Sequence, residues 1–208
     1  MAKKVELTRD KLAKVAELFK EIPNSQIIDK TIRNVISKYR SNNNKKNVYV
    51  KVVLINALYK TAIIDTPKLS NHIFINGKKI DRKLAKSDIS VIDDIRQGHG
   101  IRRKKSKKEM IFYSFATKYA HFHNPKEFAI CDNRVIRLLA QNNGHYKKEL
   151  RDYKKYKSVI DLLAKNLRLI GWDYKKIDQG LWLWARYKYN PELLPPRLRK
   201  KLKSIIDQ

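Results

Sequence analysis

The chain is poor in cysteine, in glycine and proline, and in acid. One cysteine, Cys131, stands in 208 residues. That excludes an intramolecular disulfide framework, and any zinc site or iron–sulfur cluster built from several thiolates. Such usage fits a reducing compartment. Glycine and proline number 6 each, about half the usual share, which argues against a turn-rich all-β fold and favours helices. Acids number 20 against 48 lysines and arginines, leaving a net charge of +28. No apolar run approaches the roughly 18 residues that would suggest a membrane span. The start, Met1-Ala-Lys-Lys-Val-Glu6, lacks the apolar core of a secretory signal. The expectation is a cytoplasmic, nucleoid-associated prokaryotic protein with no membrane association. It is expected to be a monomer, because like charge opposes close self-association. Its expected partner is a polyanion, nucleic acid ahead of an anionic membrane surface.

Apolar residues make up 42% of the chain, including 11 Tyr, 6 Phe and 3 Trp, enough to build a core and too many for wholesale disorder. Helical spacing links Leu7, Leu12, Val15, Ala16 and Phe19, ending before Pro23. A second stripe, Ile27, Ile28, Ile32, Val35 and Ile36, follows Asn24 as its expected cap. Residues 41–47 read as a polar loop, and the nearly continuous apolar run 48–64 as a buried central helix. Thr66-Pro67 reads as a helix start with Thr66 capping. Short helices are expected over 67–75 and 79–95, with Asp88 as a cap, and longer ones over 109–123, 133–142, 150–170 and 174–189. A last basic helix follows Pro195-Pro196. The reading is all-α, with N-terminal helices in 1–46, a helical core in 47–190 and a basic tail in 191–208.

The chemistry concentrates in 112–139. On a helix, Phe112, Phe115, Ala116, Tyr119 and Phe122 form an apolar side, while Ser114, Lys118 and His121 form a polar stripe beside it. A lysine among aromatics and cations loses solvation, which favours the neutral, nucleophilic amine. Fourteen residues on, Asp132 stands where the next helix begins.

At these residues the chain resembles the helix–hairpin–helix superfamily of DNA glycosylases, nearest its 8-oxoguanine DNA glycosylase/AP lyase branch. Thr117-Lys118 is similar to the end of that family's hairpin. Phe128-Ala-Ile-Cys-Asp132-Asn-Arg-Val135 is similar to its apolar approach to a helix-opening aspartate. The family's glycine-bearing hairpin is replaced here by Phe112-Tyr-Ser-Phe-Ala116. The resemblance implies a helix–hairpin–helix fold without an iron–sulfur cluster or other cofactor, acting on lesion-bearing double-stranded DNA. It assigns catalysis to Lys118, as the Schiff-base nucleophile, and to Asp132, as its activator. The damaged base, oxidised guanine as first choice, is flipped into a pocket before the chemistry.

Ser114, His121, Tyr59, Trp182 and Trp184 are candidates for lining that pocket. The two tryptophans cannot share one helix face, so one is expected in the core and the other against a base. Arg102, Arg103, Lys104, Lys105, Lys107 and Lys108, with Arg134, are expected to contact DNA, since so dense a run of like charge is relieved by phosphate. His121, His123 and His99 do not suggest a metal site, and no metal is expected. Two alternatives remain: a non-catalytic nucleic-acid-binding protein on the same fold, and an RNA-binding protein.

Overall fold

The computed structural model describes residues 6–97, 99–102, 108–143 and 147–208. Among these residues the fold is all-α, as expected. The helices are α1 (Arg9–Leu18), α2 (Ser25–Lys38), α3 (Lys45–Tyr59), α4 (Thr66–Ile75), α5 (Gly77–Ala85), α6 (Val91–Arg96), α7 (Tyr113–His123), α8 (Asn133–Asn143), α9 (Tyr153–Asn166), α10 (Tyr174–Tyr189) and α11 (Pro196–Ile206). One isolated antiparallel bridge joins Arg102 and Glu109. The chain divides into a central unit, residues 26–128, and a terminal unit, residues 1–25 with 129–208.

The terminal unit is built on α10, which packs against α1, α8 and α11. Leu12, Val15 and Ala16 of α1, with Leu181, Leu183 and Trp184 of α10, are buried, each large side chain contributing about 1.5–3 kcal/mol. α1 and α10 approach closely at Gly180, where an added Cβ would lie 2.8 Å from Leu12 Cδ1. α11 adds Leu198, Leu202 and Ile206. From α9, Tyr153 donates to Ala129 O at 3.1 Å and Tyr156 to Ile130 O at 2.7 Å. These two bonds pin the segment that leads to Asp132.

In the central unit, α3 packs against α4 and α7, and α6 packs against α7. The inward residues of α3 are Val48, Lys51, Val52 and Ile55, the helical spacing of a core stripe with a lysine inside it. α5 buries Gly77, Ile80 and Leu84 on the same spacing.

Several boundaries differ from the sequence expectation for local reasons. Asn24 has φ +62°, a left-handed turn rather than the extended backbone of a capping residue. The apolar run 48–64 is not one helix. α3 starts earlier, where Asn44 accepts from Asn47 N at 3.1 Å. It stops at Tyr59 because Asn56 captures the chain beyond it, accepting from Ile63 N at 2.9 Å and donating to Ile63 O at 3.1 Å. Nor is it buried all round, since Tyr49, Val50 and Val53 are exposed. α4 is capped by Asp65, which accepts from Lys68 N at 2.9 Å; Thr66 is already helical. α7 begins at Tyr113 rather than 109 because two backbone donors before it are committed elsewhere. Met110 N donates to Ile101 O at 2.8 Å and Phe112 N to Arg96 O at 2.6 Å.

Candidate functional site

α7 carries three of the residues that the sequence singled out, Ser114, Lys118 and His121. Its residues from Tyr113 to His123 are buried except Ser114, which is half-buried. A helix enclosed on most of its circumference has no solvated face for a lysine, yet Lys118 is on it and only 4% exposed. Its Nζ donates to Ser114 Oγ at 2.6 Å, one turn back on the same helix. The Tyr59 ring centroid lies 5.4 Å from that Nζ. Tyr59 donates its hydroxyl to the Asp29 carboxylate and stands edge-on to Phe122 at 5.7 Å. His121 is fully buried, and its Nδ1 donates to Phe128 O at 2.8 Å. The expected polar stripe of Ser114, Lys118 and His121 therefore exists, with Tyr59 beside it.

Asp132 and Arg134 belong to the terminal unit. Asp132 Oδ1 accepts from Arg134 N at 2.8 Å, and Ile136 N donates to Asp132 O at 2.9 Å, so Asp132 opens α8 as the sequence predicted. Arg134 lies 3.8 Å from the Asp132 carboxylate and donates from Nε to Asn190 Oδ1 at 3.2 Å. Trp184 is fully buried in the core. Trp182 is half-buried, edge-on to Phe19 at 5.8 Å, with the Arg186 guanidinium 5.5 Å from its ring. Burial, and then the Arg134 charge, hold Arg186 below its ordinary pKa. Of the basic run, Arg102 and Lys108 are exposed on the two limbs joined at the Arg102–Glu109 bridge. Arg103, Lys104, Lys105 and Lys107 lie outside the described residues. No three histidine, cysteine or carboxylate side chains converge to hold a metal among the described residues.

The central unit also holds a second buried lysine that the sequence reading passed over. Lys51 is fully buried. Its Nζ, with three N–H donors to share, lies 2.6 Å from Asn42 Oδ1, 3.2 Å from Ser41 O, 3.3 Å from Arg40 O and 3.1 Å from His123 Nε2. Tyr119 also donates to Asn42 Oδ1, at 2.5 Å. Asp81 accepts from Asn42 N at 2.9 Å, Asn42 Nδ2 at 2.7 Å and Ser41 Oγ at 3.0 Å. Burial draws the Lys51 ammonium down to about 8, against the pull of Asp81. Burial and the Lys51 charge push His123 down to about 3, so it is neutral, with Nδ1 donating to Tyr119 O at 2.8 Å. A cavity of about 290 Å³ adjoins this network, lined in part by Arg40, Asp81 and His123. The available signal was positional: Lys51 stands between Val48, Val52 and Ile55, where a core stripe calls for an apolar residue.

A family model for the N-terminal domain named HI_0787_N matches residues 9–127. The chain belongs to the HI_0787_N family. The matched span contains Lys51, Tyr59, Ser114, Lys118 and His121, and ends before Asp132. A Haemophilus influenzae protein described as uncharacterized is 33% identical over 138 residues, 63% of this chain and 62% of its own length. The chain thus spans about three fifths of that relative. No solved structure matches the chain.

Proposed function

We propose that this HI_0787_N family member acts on DNA as a glycosylase with AP lyase activity, using Lys118 as an amine nucleophile. The observation that carries the reading is a primary amine withdrawn from solvent. Lys118 is 4% exposed, held by a serine hydroxyl at 2.6 Å and walled by Tyr59. The net charge of +28 supports a polyanionic substrate, and the sequence resemblance supports DNA repair as the context. Ser114 is suited to accept the proton that the ammonium gives up and pass it on, because a hydroxyl both accepts and donates.

In this reading the Lys118 Nζ lone pair attacks the sugar C1′. The glycosidic bond breaks, and its electron pair leaves with the base, which takes up a proton. Opening of the sugar ring gives an iminium between Nζ and C1′. Loss of a C2′ proton then expels the 3′ phosphate by β-elimination, and water releases the amine. The sequence resemblance alone assigns activation of the amine to Asp132.

The test is reduction by borohydride in the presence of duplexes bearing 8-oxoguanine, uracil, hypoxanthine or an abasic site. Hydride converts the iminium into a stable amine, so wild-type protein is expected to become covalently attached to DNA. Lys118→Gln is expected to give no adduct while its affinity falls little, since one charge among 48 cations is lost. Asp132→Asn is expected to slow adduct formation on base-bearing and abasic duplexes alike. Wild-type binding without an adduct on any duplex would overturn the lyase mechanism and favour a nucleic-acid-binding protein.

A further inference from the structure

Between α3 and α4 of the central unit lies a groove of about 710 Å³, within the size range of ligand-binding clefts. Its walls include Lys45, Lys46 and Tyr49 from α3, Lys68 and Asn71 from α4, and Asp65, which caps α4. The three lysines are exposed, and none of their ammonium groups forms an ion pair among the described residues. The carboxylate in the groove, Asp65, is engaged as the α4 cap. Lys45 and Lys46 stand in the first turn of α3, which carries no acid. There they oppose the helix dipole and do not stabilise the helix. Tyr49, one turn further along, is 43% exposed. An exposed tyrosine next to three exposed lysines, facing one carboxylate, presents the two elements that single-strand binding combines: point charges for phosphates and a π-face for a base.

We propose that this groove binds a single strand of nucleic acid, with Lys45, Lys46 and Lys68 meeting its phosphates and Tyr49 stacking on a base. The occupant follows from charge complementarity and from the aromatic ring. An acidic peptide would satisfy the lysines but leave Tyr49 without a role. A duplex keeps its bases stacked inside and offers Tyr49 no face. Binding in this groove is independent of Lys118 chemistry and shares with it only the class of partner, so a protein that traps no covalent adduct is still expected to bind here.

The experiment measures binding of the full chain to a short fluorescein-labelled oligothymidylate by anisotropy over a salt series. The matched duplex and polyglutamate serve as competitors. Tyr49→Ala is expected to weaken single-strand binding by about 5- to 100-fold, and Tyr49→Phe to retain it. Replacing Lys45, Lys46 and Lys68 together by Gln is expected to flatten the slope of log affinity against log salt by about 2, near 0.7 for each phosphate that loses its lysine. Changing Lys154, Lys165 and Lys203 to Gln removes the same charge from exposed positions on α9 and α11. That control is expected to leave the slope unchanged. A shared thermal midpoint among the variants shows that binding, not folding, has changed. The proposal is overturned if Tyr49→Ala binds like wild type, if the control triple flattens the slope as much as the groove triple, or if polyglutamate competes as well as unlabelled oligothymidylate.

Discussion

Lys51 and Lys118 are both withdrawn from water in the central unit, and the Lys51 bonds and the Ser114 bond of Lys118 differ in reach. Lys51 reaches across the chain. It gathers two backbone carbonyls and an asparagine oxygen from residues 40–42, and the imidazole of His123, 72 residues away. The Ser114 bond of Lys118 is local, one turn along its own helix. An ammonium bound to distant backbone carbonyls ties the loop before α3 to the end of α7, and exchanging its partners means opening that loop. An ammonium bound to a neighbouring hydroxyl has a partner that rotates and that itself accepts and donates. The first arrangement suits a structural strut and the second suits an amine that changes protonation state. Burial alone therefore does not distinguish a chemical lysine from a structural one, and substitution of the two is the way to tell them apart.

The sharpest way to break this comparison is to replace each lysine by methionine, one atom shorter and close in volume, which loses the charge. Lys51→Met leaves the oxygens of residues 40–42 without their buried donor. It is expected to cost on the order of 3 kcal/mol, a fall in melting temperature of roughly 6–12 °C for a chain of this size, read by thermal denaturation.

The loop can also be disturbed from its far side. A Cβ added at Gly77 would lie 2.3 Å from Asn42 O, a backbone atom that cannot swing away. Gly77→Ala is therefore expected to destabilise by about 1–3 kcal/mol, with the loss seen in the same melt. A neutral outcome would mean that α5 moves off the Asn42 loop without disturbing the Lys51 network.

His123 gives a pH-dependent version of the same test. It stays neutral in the native protein down to about pH 3, whereas an unfolded histidine takes up a proton near pH 6.5. Between those values the unfolded state binds more protons, so the contribution is complete above pH 6.5 and is lost as pH falls toward 3. The slope from this one group is at most about 1.4 kcal/mol per pH unit. His123→Gln retains an acceptor for Lys51 and removes the titration, so the acid-side slope of stability is expected to be shallower than in the wild type.

Most helices were legible in the sequence because their apolar stripes are local facts. Tyr174–Tyr189 emerged with its predicted boundaries, and Asp132 opens α8 because a capping carboxylate needs only its own next few residues. The polar stripe of Ser114, Lys118 and His121 was legible for the same reason. What was not legible depends on contacts made at a distance. The end of α3 is decided by Asn56 turning back onto Ile63. The late start of α7 is decided by Phe112 N reaching Arg96 O. The Lys51 network joins α3, α5, α7 and the 40–42 loop, and no short window of sequence contains it. Which tryptophan enters the core was equally hidden, because periodicity separates Trp182 from Trp184 without saying which face is covered.

The smallest expected stability effect is the most informative about function. Lys118→Met exchanges an ammonium for a thioether of similar length within the buried length of α7. The side chain remains able to fill its place against Tyr59, and Ser114 Oγ, half-buried in the first turn of α7, can turn out to water. A volume-conserving change of this kind is expected to cost less than about 1.5 kcal/mol, well below the loss for Lys51→Met. The same variant is expected to lose all borohydride-dependent attachment to DNA. A stable, folded, unreactive Lys118→Met protein beside a destabilised Lys51→Met protein would separate the two roles. Equal destabilisation of both would make Lys118 a second strut and remove the local hydrogen bond as a mark of reactivity.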